Sequence, residues 1–254
     1  MPENPAIEFR DVSYRVADTQ VLCNFSLRIE RAENFVLLGR SGSGKTTTLK
    51  LINRLLSPTE GEVWINGTLN SQVDVIRLRR GMGYVIQEIG LFPNFNVARN
   101  IALVPRIEGW PETRIRSRVA ELLQLVGLAP EVATRYPHQL SGGQRQRVGV
   151  ARALAADPEI LLMDEPFGAL DPLTRDDLQR EFFELQKRLG KTVVFVTHDL
   201  REALRLGSRI GLMEAGKLVT TLRPEEFLQS TDPWAAAYVR AFQDPIESRI
   251  EGAS

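Results

Sequence analysis

The strongest constraint on the fold of this sequence lies in one short segment, where an apolar run leads into a glycine-rich loop. The run is Phe35-Val36-Leu37-Leu38, and a continuous apolar stretch of this kind predicts a strand buried on both faces of a sheet. The loop is Gly39-Arg40-Ser41-Gly42-Ser43-Gly44-Lys45-Thr46. Apolar residues then recur at helical spacing until Pro58, at Leu49, Ile52, Leu55 and Leu56. A buried strand, a glycine-rich turn and a helix in this order predict a layered α/β fold with a mainly parallel sheet.

The loop has the residue types that bind the phosphate groups of a nucleotide. Its glycines let successive backbone N–H groups turn toward phosphate oxygens, and the helix N-terminus adds the positive end of a dipole. We expect Lys45 to reach the β- and γ-phosphates and the hydroxyl of Thr46 to bind Mg²⁺. The predicted phosphate-binding residues are Gly39, Arg40, Ser41, Gly42, Ser43, Gly44, Lys45, Thr46 and Thr47.

Two further apolar runs end in polar residues. Residues 160–163 precede Asp164 and Glu165, and residues 193–196 precede Thr197-His198-Asp199. Ligands of α/β sheets bind at the carboxyl ends of strands. Asp164 therefore suits Mg²⁺, Glu165 suits accepting a proton from an attacking water, and His198 suits a hydrogen bond to the γ-phosphate or that water. Alone, an acidic strand end is often a solvated turn and such a histidine is often structural, but the phosphate loop upstream favours the chemical roles.

A second loop of small residues, Leu140-Ser141-Gly142-Gly143-Gln144, precedes a helical pattern over residues 145–154. Small residues at a helix N-terminus form an anion-binding device, and Ser141, Gly142, Gly143 and Gln144 are its predicted binding residues. A chain with one nucleotide rarely needs two such devices, unless one serves a nucleotide bound by another copy. This pattern predicts a head-to-tail dimer with two shared sites.

Composition excludes several other classes of protein. The chain has 254 residues with 32 Lys+Arg against 32 Asp+Glu, and zero net charge disfavours a nucleic-acid binder. The single cysteine, Cys23, excludes an internal disulfide framework, and one cysteine with two separated histidines makes structural zinc improbable. We expect His138, in Tyr136-Pro137-His138-Gln139, to be an ordinary loop residue. No segment approaches the 18 apolar residues of a membrane span, and the polar, acidic N-terminus is not a secretory signal.

The remaining patterns predict how the chain is organised. Antiparallel strands are predicted at residues 7–9 and 63–65, with a turn at Asn66-Gly67, and at residues 210–213 and 217–220 around Gly216. Residues 88–157 lack a buried-strand pattern and predict helices and loops. Two apolar stripes predict helices, the second ending at Gly190; they comprise Ile115, Val119, Leu122, Leu123 and Val126, and Leu178, Phe182, Leu185 and Leu189. The predicted architecture is an α/β core with an antiparallel β subdomain and a helical insertion.

Taken together, these motifs resemble the ATPase subunit of an ATP-binding-cassette (ABC) transporter over nearly all of the chain. The matching residues are the phosphate loop, Gln87 in Tyr84-Val85-Ile86-Gln87, residues 140–144, the Asp164-Glu165 strand end, Gly168-Ala169-Leu170-Asp171 and His198. The resemblance implies a P-loop NTPase (RecA-like) core with an N-terminal antiparallel β subdomain and an inserted helical subdomain. It implies one ABC ATPase domain over 1–254, with core and β subdomain at 1–87 and 156–222, the helical signature subdomain at 88–155 and a helical tail at 223–254.

The resemblance also assigns roles. It implies that Gln87 binds Mg²⁺ and signals to membrane subunits, that Glu165 is the catalytic carboxylate, that His198 senses the γ-phosphate, and that Asp171 lies at a dimer interface. The residues expected to serve ATP hydrolysis are Lys45, Gln87, Glu165 and His198. The implied ligands are ATP and Mg²⁺. The implied partners are a second cassette in a homodimer or pseudo-dimer, transmembrane permease subunits and, indirectly, a substrate-binding protein, with no nucleic acid. The implied location is peripheral, on the cytoplasmic side of the plasma (inner) membrane.

Two positions depart from the pattern of this family. The family usually stacks adenine on an aromatic residue four positions after the valine of an opening Val-Ser pair, and here Val12-Ser13 leads to Val16. Either Tyr14 replaces that aromatic residue or the stacking, worth about 0.5–1.5 kcal/mol for aromatic contacts, is lost. We therefore expect weak discrimination among purine triphosphates. Arg40 stands where proline is common, in a variable position of the loop.

Within the family, the sequence is most similar to osmoprotectant importers, which take up glycine betaine, choline, carnitine and related quaternary amines. The stretches that carry this likeness are residues 52–55, 83–93 and 100–105. ATPases of that group often continue into a regulatory domain, and we expect none in a chain that stops at Ser254. The alternatives are import of another solute, lipid export, or a non-transport cassette ATPase of DNA repair or translation. Those last types have a long coiled coil or two cassettes per chain, and neither is found here.

Overall fold

The computed structural model describes residues 4–87, 90–168 and 170–247, and side chains within these ranges up to residue 242. Ala169, Glu88 and Ile89, which contribute to the resemblance, lie outside the described residues, as do residues 248–254 of the predicted tail. Everything below concerns the described part of the chain.

Strands and helices alternate along much of the chain. The strands are β1 (Ile7–Val16), β2 (Thr19–Ile29), β3 (Asn34–Gly39), β4 (Glu60–Ile65), β5 (Thr68–Leu69), β6 (Met82–Val85), β7 (Ile160–Asp164), β8 (Thr192–Thr197), β9 (Arg209–Glu214) and β10 (Lys217–Leu222). The α-helices are α1 (Lys45–Ile52), α2 (Val75–Arg80), α3 (Val97–Ile101), α4 (Leu103–Ile107), α5 (Glu112–Leu125), α6 (Gly142–Ala153), α7 (Pro172–Leu189), α8 (Leu200–Leu206), α9 (Pro224–Leu228) and α10 (Pro233–Glu247). Short 3₁₀ turns lie at Asn70–Gln72, Pro130–Thr134 and Pro137–Gln139.

Contacts between Cα atoms divide the chain into two compact units. The first unit combines Met1–Gly67 with Phe195–Ser254, and the second is Thr68–Val194. Strand β8 therefore carries residues of both units. The predicted subdomain limits of 1–87, 88–155, 156–222 and 223–254 fall at other positions and stay predictions.

In the first unit, β2, β1 and β4 form an antiparallel sheet in that order. Ile7 pairs with Ile65 and Phe9 with Val63, so the predicted pairing of residues 7–9 with 63–65 is confirmed. Asn66 and Gly67 follow β4, both with positive φ, of 51° and 77°. Two successive left-handed residues are typical of a tight hairpin turn. Strand β2 was not predicted, because its buried residues alternate with exposed ones only in its second half.

The same unit contains the strand that leads into the glycine-rich loop. Strand β3 pairs in parallel with β9, and β9 pairs antiparallel with β10 as predicted. Helix α1 follows the loop but ends at Ile52, so the prediction that it reaches Leu56 was wrong. Arg54 adopts a left-handed conformation (φ 54°), which ends the helix, and Leu55 is 48% exposed.

In the second unit, β6 pairs in parallel with β7, which is buried at every residue. Strand β6 was not predicted, since it has only four residues and one of them is glycine. As expected, the described residues from 90 to 157 contain helices and turns and no strand. Helix α5, with Val126 directly after it, buries the first predicted stripe. Helix α7 buries Leu178, Phe182 and Leu185 of the second stripe, whereas Leu189 is half-buried, and its C-cap is Gly190 with φ 59°. The short helices α3 and α4, together with α5 and α6, make this unit the one that holds the predicted helical insertion.

Candidate functional site

The glycine-rich loop in the first unit has a preformed conformation. The ammonium group of Lys45 donates hydrogen bonds to the carbonyl oxygens of Gly39 and Arg40, both at 2.8 Å. Lys45 is only 4% exposed, so a cation is held under the loop. The backbone N–H of Ser43 bonds to the Arg40 carbonyl at 3.2 Å, which closes the turn.

Neighbouring strands hold this loop at close range. The N–H of Gly216, in the β9–β10 turn, donates to the Ser43 carbonyl at 3.2 Å. A Cβ atom at Gly39 would lie 2.4 Å from the Met213 carbonyl oxygen, and one at Gly44 would lie 2.7 Å from Leu22 Cδ2. Gly44 also has φ 101°, which L-residues rarely adopt. Packing therefore requires glycine at both positions, and at Gly44 the backbone conformation requires it as well.

Two features of the loop suit an anionic ligand. The hydroxyl oxygen of Ser43 is buried and makes no hydrogen bond within the described residues, which is costly unless a ligand supplies the partner. Helix α1 begins at Lys45 with Gly44 as its N-cap, and among the described residues no side-chain hydrogen bond caps it. Its first residues include Thr46 and Thr47, whose side chains are half-buried. The loop residues thus fit phosphate oxygens.

His198 is also in the first unit. It directly follows β8 and precedes α8, and its side chain is exposed while Thr197 before it is 1% exposed. His138, by contrast, lies in the 3₁₀ turn Pro137–Gln139 of the second unit and stacks on Tyr136 with ring centroids 6.0 Å apart.

The second unit brings together Gln87, Asp164 and Glu165, because β6 and β7 are parallel neighbours with Val85 opposite Met163. Asp164 is the last residue of β7 and is 5% exposed. The Gln87 amide donates to the Glu165 carboxylate at 3.5 Å, the outer limit of hydrogen-bond distance. Glu165 has a left-handed backbone with φ 43°, a conformation that carries local strain in a non-glycine residue.

Tyr84 was not predicted to be a site residue, but its hydroxyl donates to Asp164 at 3.5 Å. Burial raises the pKa of the Tyr84 phenol, and the negative charge of Asp164 raises this pKa further. The phenol therefore stays protonated and can donate to the carboxylate. In the sequence, only its position three residues before Gln87 indicates that Tyr84 belongs to the site. Its contact with Asp164 follows from the pairing of β6 with β7.

The small-residue loop at 140–144 also lies in the second unit and caps α6. The Ser141 hydroxyl accepts from the Gln144 N–H at 3.2 Å, and the Gln144 side-chain oxygen accepts from the Ser141 N–H at 3.0 Å. These reciprocal bonds form a capping box. A Cβ atom at Gly143 would lie 2.8 Å from a methyl carbon of Thr174 in α7. The loop is rigid, and the 12-residue helix behind it directs the positive end of its dipole toward Ser141.

Asp171 caps the neighbouring helix. Its carboxylate accepts from the Thr174 N–H at 3.1 Å at the start of α7. Hydrogen bonds from the backbone and side chain of Thr174 lower the pKa of Asp171, so it is charged at neutral pH. This contact gives Asp171 a local structural role, and its predicted place at a dimer interface stays a prediction.

The chain's donor set fits Mg²⁺ held jointly with a nucleotide. Within the described ranges, no cluster of three or more His, Cys, Asp or Glu side chains could hold a metal ion by itself. Mg²⁺ usually binds through one or two protein oxygens together with substrate phosphates. Within the second unit, the Asp164 carboxylate and the Gln87 side-chain amide supply oxygens of that kind.

A comparison with protein families identifies the family that has these motifs. The family model described as ABC transporter matches residues 22–168, and this chain belongs to that family. Among the described residues, no helix is both long and apolar enough to cross a membrane.

The relatives that this chain resembles include ATP-binding proteins of choline and glycine betaine transport systems. The chain is 53% identical over 207 residues to the choline transport ATP-binding protein OpuBA of Bacillus subtilis, covering 82% of this chain and 54% of that protein. It is 51% identical over 236 residues to the glycine betaine uptake system ATP-binding protein YehX of Escherichia coli, covering 93% and 76%. The chain thus spans about half the length of the first relatives that it matches, with 54% for OpuBA. The predicted likeness to osmoprotectant importers is confirmed.

Solved structures confirm the predicted fold class. A dimeric ATP-binding cassette in a post-hydrolysis state, bound to ADP and phosphate, superposes with a TM-score of 0.77 at 34% identity, covering 86% of this chain and 98% of that one. CbiO1 of Clostridium perfringens, part of an ABC transporter complex, gives a TM-score of 0.83 at 26% identity, covering 98% of both chains. The chain has the mixed α/β fold of an ABC ATPase cassette.

Proposed function

We propose that this chain binds and hydrolyses ATP, as a dimer, to energise a membrane transporter that imports quaternary-amine osmoprotectants. The observation that carries the proposal is the loop at 39–46, in which a buried lysine ammonium and an unpaired serine hydroxyl face a glycine backbone. A buried ammonium group beside a buried hydroxyl that lacks a hydrogen bond stabilises negative charge placed at the loop. Membership of the family and the names of the relatives support the same function.

In the proposed reaction, each unit contributes its own residues. Lys45 exchanges its bonds to the loop carbonyls for the β- and γ-phosphate oxygens and compensates the charge that develops during transfer. The Ser43 hydroxyl and the loop N–H groups bind phosphate oxygens, and His198 donates a hydrogen bond to the γ-phosphate. Thr46, Gln87 and Asp164 are the residues that would hold Mg²⁺. When bound, Mg²⁺ neutralises phosphate charge.

Glu165 accepts the proton of the attacking water in this proposal. Its carboxylate receives a bond from Gln87, and a change in this contact would report the state of the nucleotide to the loop that follows Gln87. Ser141, Gly142, Gly143 and Gln144 bind the nucleotide of a second cassette through the N-terminus of α6. The dimeric state of a solved relative that holds ADP and phosphate supports two cassettes acting together.

A groove in the second unit is the proposed docking site for a helix of the permease. Its volume is about 240 Å³, and its walls include Tyr84, Phe92, Leu103 and Arg152. Phe92 is 46% exposed, and the Arg152 guanidinium bonds to the Gly90 carbonyl at 2.6 Å, which ties the groove to the loop after Gln87. Docking to a permease implies a peripheral location, which we propose to be the cytoplasmic face of the plasma membrane.

ATP hydrolysis by the purified chain tests the first part of the proposal. Lys45→Ala should lower kcat/KM on the order of 100-fold, the scale seen when one donor to a developing charge is removed. Lys50→Ala, in the same helix and half-buried, is the matched control and should keep kcat/KM within about twofold. Equal activity of the Lys45→Ala variant and the parent chain would refute the assignment of the loop.

Two further measurements test transport. Phe92→Asp should abolish co-purification with a detergent-solubilised permease, whereas Ile107→Asp, at a residue 55% exposed outside the groove, should not. Thermal shift of the substrate-binding protein of the same transporter tests the solute. A stabilising response to glycine betaine or choline supports osmoprotectant import, and no response to any quaternary amine refutes it while leaving the ATPase intact.

A further inference from the structure

The turn that carries His198 is held from the inside of the first unit. His198 is exposed, whereas Thr197 before it is 1% exposed and Asp199 after it is half-buried. Asp199 is the N-cap of α8, and its carboxylate accepts from the Arg201 N–H at 2.7 Å. The exposed side chain of His198 is therefore carried on a backbone whose neighbours on both sides are anchored.

The anchor of this turn is a buried carboxylate. The Thr197 hydroxyl donates to Glu202 Oε2 at 2.6 Å and accepts from the Asp199 N–H at 2.9 Å. A hydroxyl has one hydrogen, so the bond to Glu202 leaves its lone pairs for Asp199. These two hydrogen bonds meet at the Thr197 hydroxyl and connect Glu202 to the residues on both sides of His198.

Glu202 is a costly residue at this position. It lies in α8 and is 3% exposed, and a buried charge lowers stability unless hydrogen bonds compensate it. The distance of 2.6 Å from the Thr197 hydroxyl to Glu202 is short for a hydroxyl hydrogen bond. This bond orients the turn with His198, since Thr197 and Asp199 are the immediate neighbours of His198.

We propose that Glu202 is a positioning residue for His198, acting through Thr197 and Asp199. This proposal rests on the proposed function in one respect, because it assumes that His198 has a role in ATP hydrolysis. Glu202 touches neither nucleotide nor water in this account. It limits the directions in which the backbone of His198 can present the imidazole ring.

Kinetics of the full chain provide the first test. Glu202→Gln should lower kcat about 10-fold with the KM for ATP within about twofold, the lower end of effects seen for residues that orient functional groups. Thr197→Val, which removes the hydroxyl, should act similarly, and Thr197→Ser should restore activity. Glu225→Gln makes the same chemical change on an exposed residue of α9 and is the control.

A double-mutant cycle separates positioning from a general loss of stability. In a His198→Ala background, Glu202→Gln should change kcat by less than about twofold, because the residue that it positions is gone. An equal 10-fold loss in both backgrounds would overturn the inference.

The imidazole resonances give a readout that does not depend on catalysis. The chain has two histidines, so its ¹H–¹⁵N imidazole spectrum contains His138 as an internal control. Thr197→Val and Glu202→Gln should shift the His198 signals and leave those of His138 in place. Unshifted His198 signals in both variants would refute positioning. If His198→Ala keeps full kcat, the proposed role of His198 fails, and the spectra still decide whether Glu202 orients it.

Discussion

The phosphate loop allows a quantitative prediction, because two of its glycines have positive φ but different surroundings. Gly42 has φ 80° and nothing within 4 Å of an added Cβ atom. Gly44 has φ 101°, and its Cβ would lie 2.7 Å from Leu22 Cδ2 and 3.1 Å from the Val21 carbonyl oxygen. Alanine at either position incurs the left-handed backbone cost, about 1–2 kcal/mol. Alanine at Gly44 adds overpacking, typically about 1–3 kcal/mol.

Gly42→Ala should therefore lower the free energy of unfolding by about 1–2 kcal/mol, and Gly44→Ala by about 2–5 kcal/mol. Urea denaturation at equilibrium measures both values. Part of the added cost lies in the contact with Leu22, so Leu22→Val, which has no Cδ atom, should reduce the cost of Gly44→Ala in a double-mutant cycle. Equal costs for the two glycines would show that the strands do not press on the loop, and the packing argument would be wrong.

Two other predictions concern the selectivity for the nucleotide base and the pH dependence of thermal stability. Because Val16 is 53% exposed at the end of β1 and Tyr14 pairs with Leu22, we expect Kd values for ATP and GTP within tenfold, and a hundredfold preference by calorimetry would contradict this. The bond from Lys191 to Asp157, at 2.8 Å, lowers the pKa of Asp157, which has a left-handed φ that asparagine tolerates. Between pH 7 and about pH 5, the Asp157→Asn variant should therefore have a lower Tm than the parent chain. The difference from the parent chain should vanish as pH falls below about 4, through the folded pKa, and a difference that persists would refute the ion pair's contribution.

Patterns in the sequence were sufficient for the elements whose burial is continuous or periodic. Continuous apolar runs form strands β3, β7 and β8, and apolar residues at helical spacing form one face of α5 and of α7. The local sequence pattern therefore specifies each of these elements. Strand β6 was different. A Cβ atom at Gly83, in its centre, would lie 2.5 Å from the Ala153 carbonyl oxygen, a close approach to α6 that only the tertiary structure specifies.

The same limit applies to the site. Its motif residues were predictable because the chemistry needs particular residue types at particular spacings, as in the loop that ends with Lys45 and Thr46. The residues that support them were not. Tyr84 contacts Asp164 across 80 positions, which requires the pairing of β6 with β7. Glu202 contacts Thr197 at short range, but its role depends on burial that the sequence alone does not reveal.

In the proposed mechanism, two copies of this chain share two ATP sites and Glu165 serves hydrolysis. Glu165→Gln keeps the size of the side chain and its contact with Gln87 but removes the proton acceptor. Analytical ultracentrifugation of this variant with ATP and Mg²⁺ is the decisive test. We expect a stable dimer that retains unhydrolysed ATP, and a monomer under the same conditions would show that the sites are not shared.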